Sequence, residues 1–236
     1  LEEKMTQQLK AIKEIFSNLF GALMAFALEQ EFLQDLGESL EVFYNLKEGE
    51  EYEFRPTEEF LFLTWFLVDD TTPDGFCLMD EFLKRHSDNL SLTETQVCKA
   101  LKETHLSLFQ VKKVVNNVSM SLRDVFTGES FDVAESTGAE DVAEDTLLFS
   151  RILRLGEERF LVGAGIFMDP SVTEPITAFI TEQYRECCEE GYTKSFKDFL
   201  KENGELINWW IRSFDKGELT EDENEDEDED KPDNKS

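Results

Sequence analysis

Histidine and cysteine are scarce in this sequence, at two and four residues among 236, and its 5 prolines and 12 glycines are thinly spread. The histidines, His86 and His105, each fall near the end of a predicted helix, where an imidazole can meet free carbonyls. With no Cys/His set at ligand spacing, the sequence offers neither a zinc site nor a histidine-based catalytic constellation. Cys77, Cys98 and the adjacent Cys187 and Cys188 are too few and too scattered for a disulfide framework. They suit buried thiols in a reducing cytoplasm.

Long apolar runs are lacking as well. The longest, Leu19 to Leu28, spans ten residues, well short of the roughly 20 needed to cross a bilayer. Met5 as a start, Lys10 and Lys13 before this run, and Ala25-Phe26-Ala27 within its last part permit a signal-peptide reading and hence secretion as an alternative. The recurrence of Met5, Leu9, Ile12, Phe16, Leu19, Leu23 and Phe26 favours a packed helix, and a cytoplasmic location is expected.

Positive charge is the other shortage, with 23 Lys and Arg against 53 Asp and Glu and a formal net charge of −30. Residues 219–236 hold ten acids and two lysines, so residues 1–218 keep a net charge of −22. The acidity therefore belongs to the body as well as to the tail. Such a surface repels phosphate backbones and argues against direct nucleic-acid binding. It favours protein partners that are basic.

What the chain does have is core material, since Phe supplies 21 residues beside 4 Tyr and 3 Trp. The pattern predicts an α+β fold. A first helix is expected over about 3–36, then one N-capped by Thr57 that ends at the DDTTPDG loop. Helices over about 76–86 and 92–103 follow, the latter opened by a Ser91/Glu94 capping box. From about 108 to 167 the pattern shortens to strands that form a small antiparallel sheet or partly closed barrel. A two-residue turn at Thr127-Gly128 and a hairpin from 146–155 to 159–167, turning at 156–158, are expected in it. Helices at about 174–189, 194–202 and 205–214 come next. The regions are thus a helical layer (1–107), a β region (108–168), C-terminal helices on the same body (169–217) and a disordered acidic tail (218–236).

The run EEFLFLTWFLVDDTTPDGFCLMDEFL, then SLFQV, SLRDVFTGESFDVAES and EDTLLFSRIL, resembles an uncharacterised bacterial family often joined to a SEC-C motif, the zinc module like that at the SecA C-terminus. The likeness covers about residues 57–167. It is carried by Trp65-Phe66 with Asp69-Asp70, Arg123-Asp124 with Thr127-Gly128, and Leu148 to Arg151. The resemblance implies an architecture and a bacterial cytoplasmic setting, and no activity. The SEC-C module itself is absent, because its cysteine pairs are replaced by the acidic run and no His lies beyond His105. Zinc is not expected.

Asp70, Thr72, Asp74 and Glu81, with Gly75, fit the frame of a calcium loop between two helices, with oxygen ligands at its first, third, fifth and twelfth positions. Pro73 opposes the required bend, and Cys77 stands where a branched aliphatic is usual. A helix–helix turn capped by Asp70 and Asp74 is the preferred reading. Gly128-Glu129-Ser130 begins like a nucleophile elbow but lacks its second Gly and lies in a hairpin pattern. Gly163-Ala164-Gly165 lacks the third Gly of a dinucleotide fingerprint, and close backbone packing explains it better. The acid pairs Asp69/Asp70 and Glu140/Asp141 read as solvated faces.

Trp209-Trp210 can place one ring in the core and offer the other to a partner, with packing favoured. The expectation is a non-catalytic interaction or adaptor module with no cofactor, selecting basic protein partners. The alternatives are a calcium-binding helix–loop–helix at 70–81 and an enzyme with an unrecognised site.

Overall fold

The computed structural model describes residues 2–47, 49–52, 55–71, 75–115, 119–134 and 142–217, with side chains described from residue 14 onward. The acidic tail, Thr72, Pro73, Asp74 and the Glu140/Asp141 pair lie outside the described residues. The architecture is α+β, with helices before and after an antiparallel sheet that forms a nearly closed barrel.

The N-terminal layer is built from α1 (Glu2–Ala27), α2 (Leu33–Tyr44), α3 (Pro56–Val68), α4 (Leu78–His86) and α5 (Leu92–Lys102). The single helix expected over 3–36 is in fact two. Glu29 turns extended (φ −62, ψ 145) and a short 3-10 turn at Gln30–Phe32 redirects the chain into α2. The corner brings Phe32 to 5.0 Å from Phe26 and sets the Arg85 guanidinium 5.4 Å from each ring. No Gly or Pro marks this break; aromatic packing supplies the reason for it.

Helix α3 starts two residues earlier than expected. Pro56 occupies its first position, where a missing N–H costs nothing, and extended Arg55, not Thr57, precedes it. Leu61, Phe62, Trp65, Phe66, Leu67 and Val68 are all buried, so α3 is apolar on every side and runs through the core. The Ser91/Glu94 capping box opens α5 as expected, with reciprocal bonds of 2.8 and 3.2 Å. Among the described residues, no helix is long and apolar enough to cross a membrane.

Among the described residues six strands follow: β1 (Leu106–Val115), β2 (Ser119–Asp124), β3 (Ser130–Ala134), β4 (Leu147–Leu155), β5 (Glu158–Leu161) and β6 (Ile166–Met168). All pairings are antiparallel, in the order β3-β2-β1-β4-β5, with β6 also on β4. Alternation divides the side chains between two cores. Leu106, Leu108, Leu147, Phe149 and Leu153 face the helices, whereas Phe109, Val111, Leu148, Leu122 and Val133 fill the barrel.

Two turns differ in detail from expectation. The β2–β3 connection is a five-residue loop, Val125 to Glu129, not a two-residue turn, because Asp124 Oδ1 accepts the N–H groups of Phe126 and Thr127 at 2.9 and 2.8 Å. The strand expected over 159–167 is interrupted between β5 and β6. At Gly163 (φ +72) a Cβ would stand 1.9 Å from the Phe60 ring, and at Gly165 it would stand 2.8 Å from the Phe149 carbonyl oxygen. The Gly-Ala-Gly run is thus a place where α3 presses into the barrel wall. Gly163→Ala is expected to lower stability by about 1–3 kcal/mol, from left-handed strain and the ring clash. Urea unfolding reads this as an earlier midpoint, and a midpoint matching the parent would mean the ring simply swings away.

The C-terminal helices α6 (Thr173–Glu189), α7 (Phe196–Glu202) and α8 (Glu205–Lys216) close the body. Helix α8 packs on α2 and α6. Its residues reach back into the first layer: Glu205 to Trp65, Asn208 to the Phe43 carbonyl and Arg212 to Glu58.

Candidate functional site

Helix α2 presents Asp35, Glu38, Ser39 and Val42 on one face, at the i, i+3, i+4, i+7 spacing that aligns side chains along a helix. Across from it stand the end of α3, with Phe66 and Asp70, and the start of α4, with Leu78, Glu81 and Arg85. Between them lies a groove of about 480 Å³. Its floor is apolar, formed by buried Phe66 and Cys77, with Phe76 standing 62% exposed at the rim.

Four carboxylates border this floor, and one cation. Arg85 is already committed: it pairs with Glu31, with Glu81 at 2.7 Å and with Glu29 at 3.7 Å. Those bonds, with one from Lys84 at 3.2 Å, hold the Glu81 carboxyl below the usual carboxylate range. Burial pushes the Asp70 carboxyl up, against the opposing effect of a short hydrogen bond donated by the Ser39 hydroxyl. Asp35 and Glu38 are exposed and have no cation paired with them among the described residues, Glu38 accepting only a 2.9 Å bond from the Gln34 amide. An apolar trough rimmed by carboxylates accepts an alkylammonium or guanidinium together with its aliphatic stem.

Asp70 and Glu81, two of the four calcium-frame residues, thus come to the same groove, while Thr72 and Asp74 lie outside the described residues. Among the described residues, no group of three or more His, Cys, Asp or Glu is placed to hold a metal ion. Asp35 and Glu38 were not singled out by sequence. Their helical spacing was present, but nothing local shows that α2 would lie across the end of α3.

The tryptophans sit behind the groove. Trp210 is buried and stacks on Phe214 at 5.2 Å. Half-buried Trp209 donates its Nε1–H to the Val42 carbonyl at 2.6 Å and so ties α8 to the helix that carries the acids. His86 ends α4 against Phe26 and Phe82, at 5.6 and 4.8 Å. All four cysteines are free, with burial raising the Cys77 thiol and taking Cys98 up to about 11.

Asp69 corrects the expectation of a solvated acid pair. Its side chain is 0% exposed and receives both Arg151 guanidinium nitrogens, one at 3.3 Å, together with Lys201 Nζ at 2.8 Å. Arg151, also 0% exposed, donates further to Thr104 Oγ1 at 2.8 Å. Asp69 and Arg151 are sealed from solvent, Lys201 is half-buried at their edge, and the three bind the helical layer, the sheet and α7 to each other.

The family model described as "Family of unknown function (DUF7986)" matches residues 3–201. The chain belongs to that family. The DUF7986 match takes in α1 through most of α7, and so includes the groove and the buried Asp69 centre. It bears out the resemblance at the level of a family of unknown function and shows nothing of a SEC-C association. No curated protein matches the chain, and no solved structure does.

Proposed function

We propose that this chain is a non-catalytic interaction module that takes a basic segment of a partner protein into the groove between α2, α3 and α4. The observation that carries the reading is the surplus of carboxylates over an apolar floor: Asp35, Glu38, Asp70 and Glu81 face a trough whose one arginine is already held by acids. The net charge of −30 steers a basic partner toward that trough and makes the encounter salt-sensitive. A calcium ion in the same place would have to draw Glu81 away from Arg85 and Lys84, and Asp70 away from Ser39. The basic segment needs no such rearrangement. A cytoplasmic adaptor role in a bacterium, free of direct nucleic-acid or membrane contact, agrees with this charge and with the family resemblance.

Affinity capture from nuclease-treated lysate, with wild-type chain and Asp35→Lys/Glu38→Lys as parallel baits at low and moderate salt, tests the reading. Both substituted residues are exposed, so the fold is preserved. The expected result is a defined basic protein held by wild type, released as salt rises, and bound at least about tenfold more weakly by the variant. Equal capture by both baits would remove the groove from the account, and capture of nothing basic would remove the function.

A further inference from the structure

The nearly closed barrel has a mouth, and its lining differs from the rest of this acidic protein. Residues His105, Ser107 and Phe109 follow the two-residue period of β1 and share its inward face; Ile152 and Arg154 do the same on β4. The cavity that His105, Phe109, Ile152 and Arg154 border measures about 620 Å³ and reaches β3 at Phe131 and α7 at Lys197. That size lies within the range of small-molecule sites, and barrel mouths are among their favoured places.

The throat is apolar and aromatic, with Phe109 and Phe131 edge to face at 5.9 Å and Ile152 beside them. The rim carries two cations without an ion-pair partner among the described residues. In a chain where acids outnumber bases 53 to 23, most of the described cations are ion-paired. Lys197 and the terminal guanidinium nitrogens of Arg154 have no carboxylate within ion-pair distance among the described residues, and both meet at this rim. Of the acids there, Asp124 is consumed by the Ser107 hydroxyl and two backbone N–H groups, and Glu129 by Arg159 at 3.2 Å. Exposed Glu103 and buried Asp124 balance Arg154 and Lys197 in number, but neither acid pairs with them, so both cations keep donors free for a guest.

An orphan completes the set. His105 lines the cavity, and its Nε2 is buried with no hydrogen-bond partner among the described residues. Burial lowers this imidazole to about 4, so it is neutral at physiological pH and adds no charge to the lining. A buried polar atom without a partner is uncommon in folded proteins and costs stability until something meets it.

We propose that the barrel mouth binds a small planar anion, an aromatic carboxylate or aromatic phosphate, with its ring against Phe131 and Ile152 and its charged group at Arg154 and Lys197. The site is separate from the acidic groove and does not depend on it. Calorimetric titration of the full chain with naphthoate, naphthyl phosphate, naphthol and inorganic phosphate tests it. At least one of the two aromatic anions is expected to saturate with Kd of about 1 mM or tighter. Naphthol and inorganic phosphate, each offering half of the chemistry, are expected to bind at least about tenfold more weakly. Preference between the two anions identifies the head group.

Arg154→Ala/Lys197→Ala, two exposed positions, is expected to weaken the aromatic anion at least about tenfold with the melting temperature unchanged. Asp35→Lys/Glu38→Lys is expected to bind it like wild type, which separates this site from the groove. Absence of saturation by both aromatic anions, or unchanged binding in the Arg154/Lys197 variant, overturns the proposal.

Discussion

Asp69→Ala is expected to lower the unfolding free energy by about 3–5 kcal/mol, because it strands a buried charge rather than removing a contact. Arg151 would be left 0% exposed with no counter-charge, and its Nε already has no partner among the described residues. Lys201 would keep only the Val68 and Thr104 carbonyls, at 3.2 and 2.9 Å. Urea unfolding of the variant beside Asp69→Ala/Arg151→Met decides the matter. Replacing both partners by apolar groups removes the stranded arginine, and the double variant is expected to regain more than half of the loss. Should the single variant fail to fold, the double variant still carries the test. Recovery of nothing would show that Asp69 acts through packing and not through charge.

Glu205 gives the second large effect, and it depends on pH. Burial raises its carboxyl to about 7, Trp65 Nε1 at 3.1 Å opposes this, and nearby Asp69 and Asp70 add to the rise. In the unfolded chain the group titrates near its ordinary 4.5. The folded state therefore favours the protonated form. Stability is fully present below pH 4.5 and is lost as pH rises through about 7. The difference between the two values amounts to about 3 kcal/mol. Glu205→Gln keeps an acceptor for the Trp65 indole and removes the ionisation. It is expected to match wild type at pH 4 to 5 and to exceed it by about 2–3 kcal/mol at pH 9. Parallel pH profiles of stability for the two proteins would rule this out.

Much of the fold could be read from local chemistry. The capping box at Ser91 and Glu94, the Asp169-Pro170 stop before α6 and the close packing at Gly163 and Gly165 each follow from what a few neighbouring residues can do. The corner between α1 and α2 could not, since it depends on Phe26 and Phe32 meeting Arg85 from a helix more than fifty positions away. The fate of Asp69 is the clearest case. In a chain with 53 acids a carboxylate reads as solvated, and the arginine that buries this one lies 82 positions downstream. The groove is of the same kind. The acids of α2 are visible in the sequence, but their meeting with Asp70 and Glu81 is a fact of packing.

The last helix reaches back a long way. Asn208 meets the Phe43 carbonyl across 165 positions, Arg212 meets Glu58 across 154, and Trp65 meets Glu205 across 140. During synthesis, α2 and α3 therefore leave the ribosome well before the residues that cover them. At ordinary translation rates the interval is on the order of ten seconds. Over that time the apolar faces of α2 and α3 stand open, which makes the nascent chain, rather than the finished protein, the form most in need of a chaperone and most open to a protease.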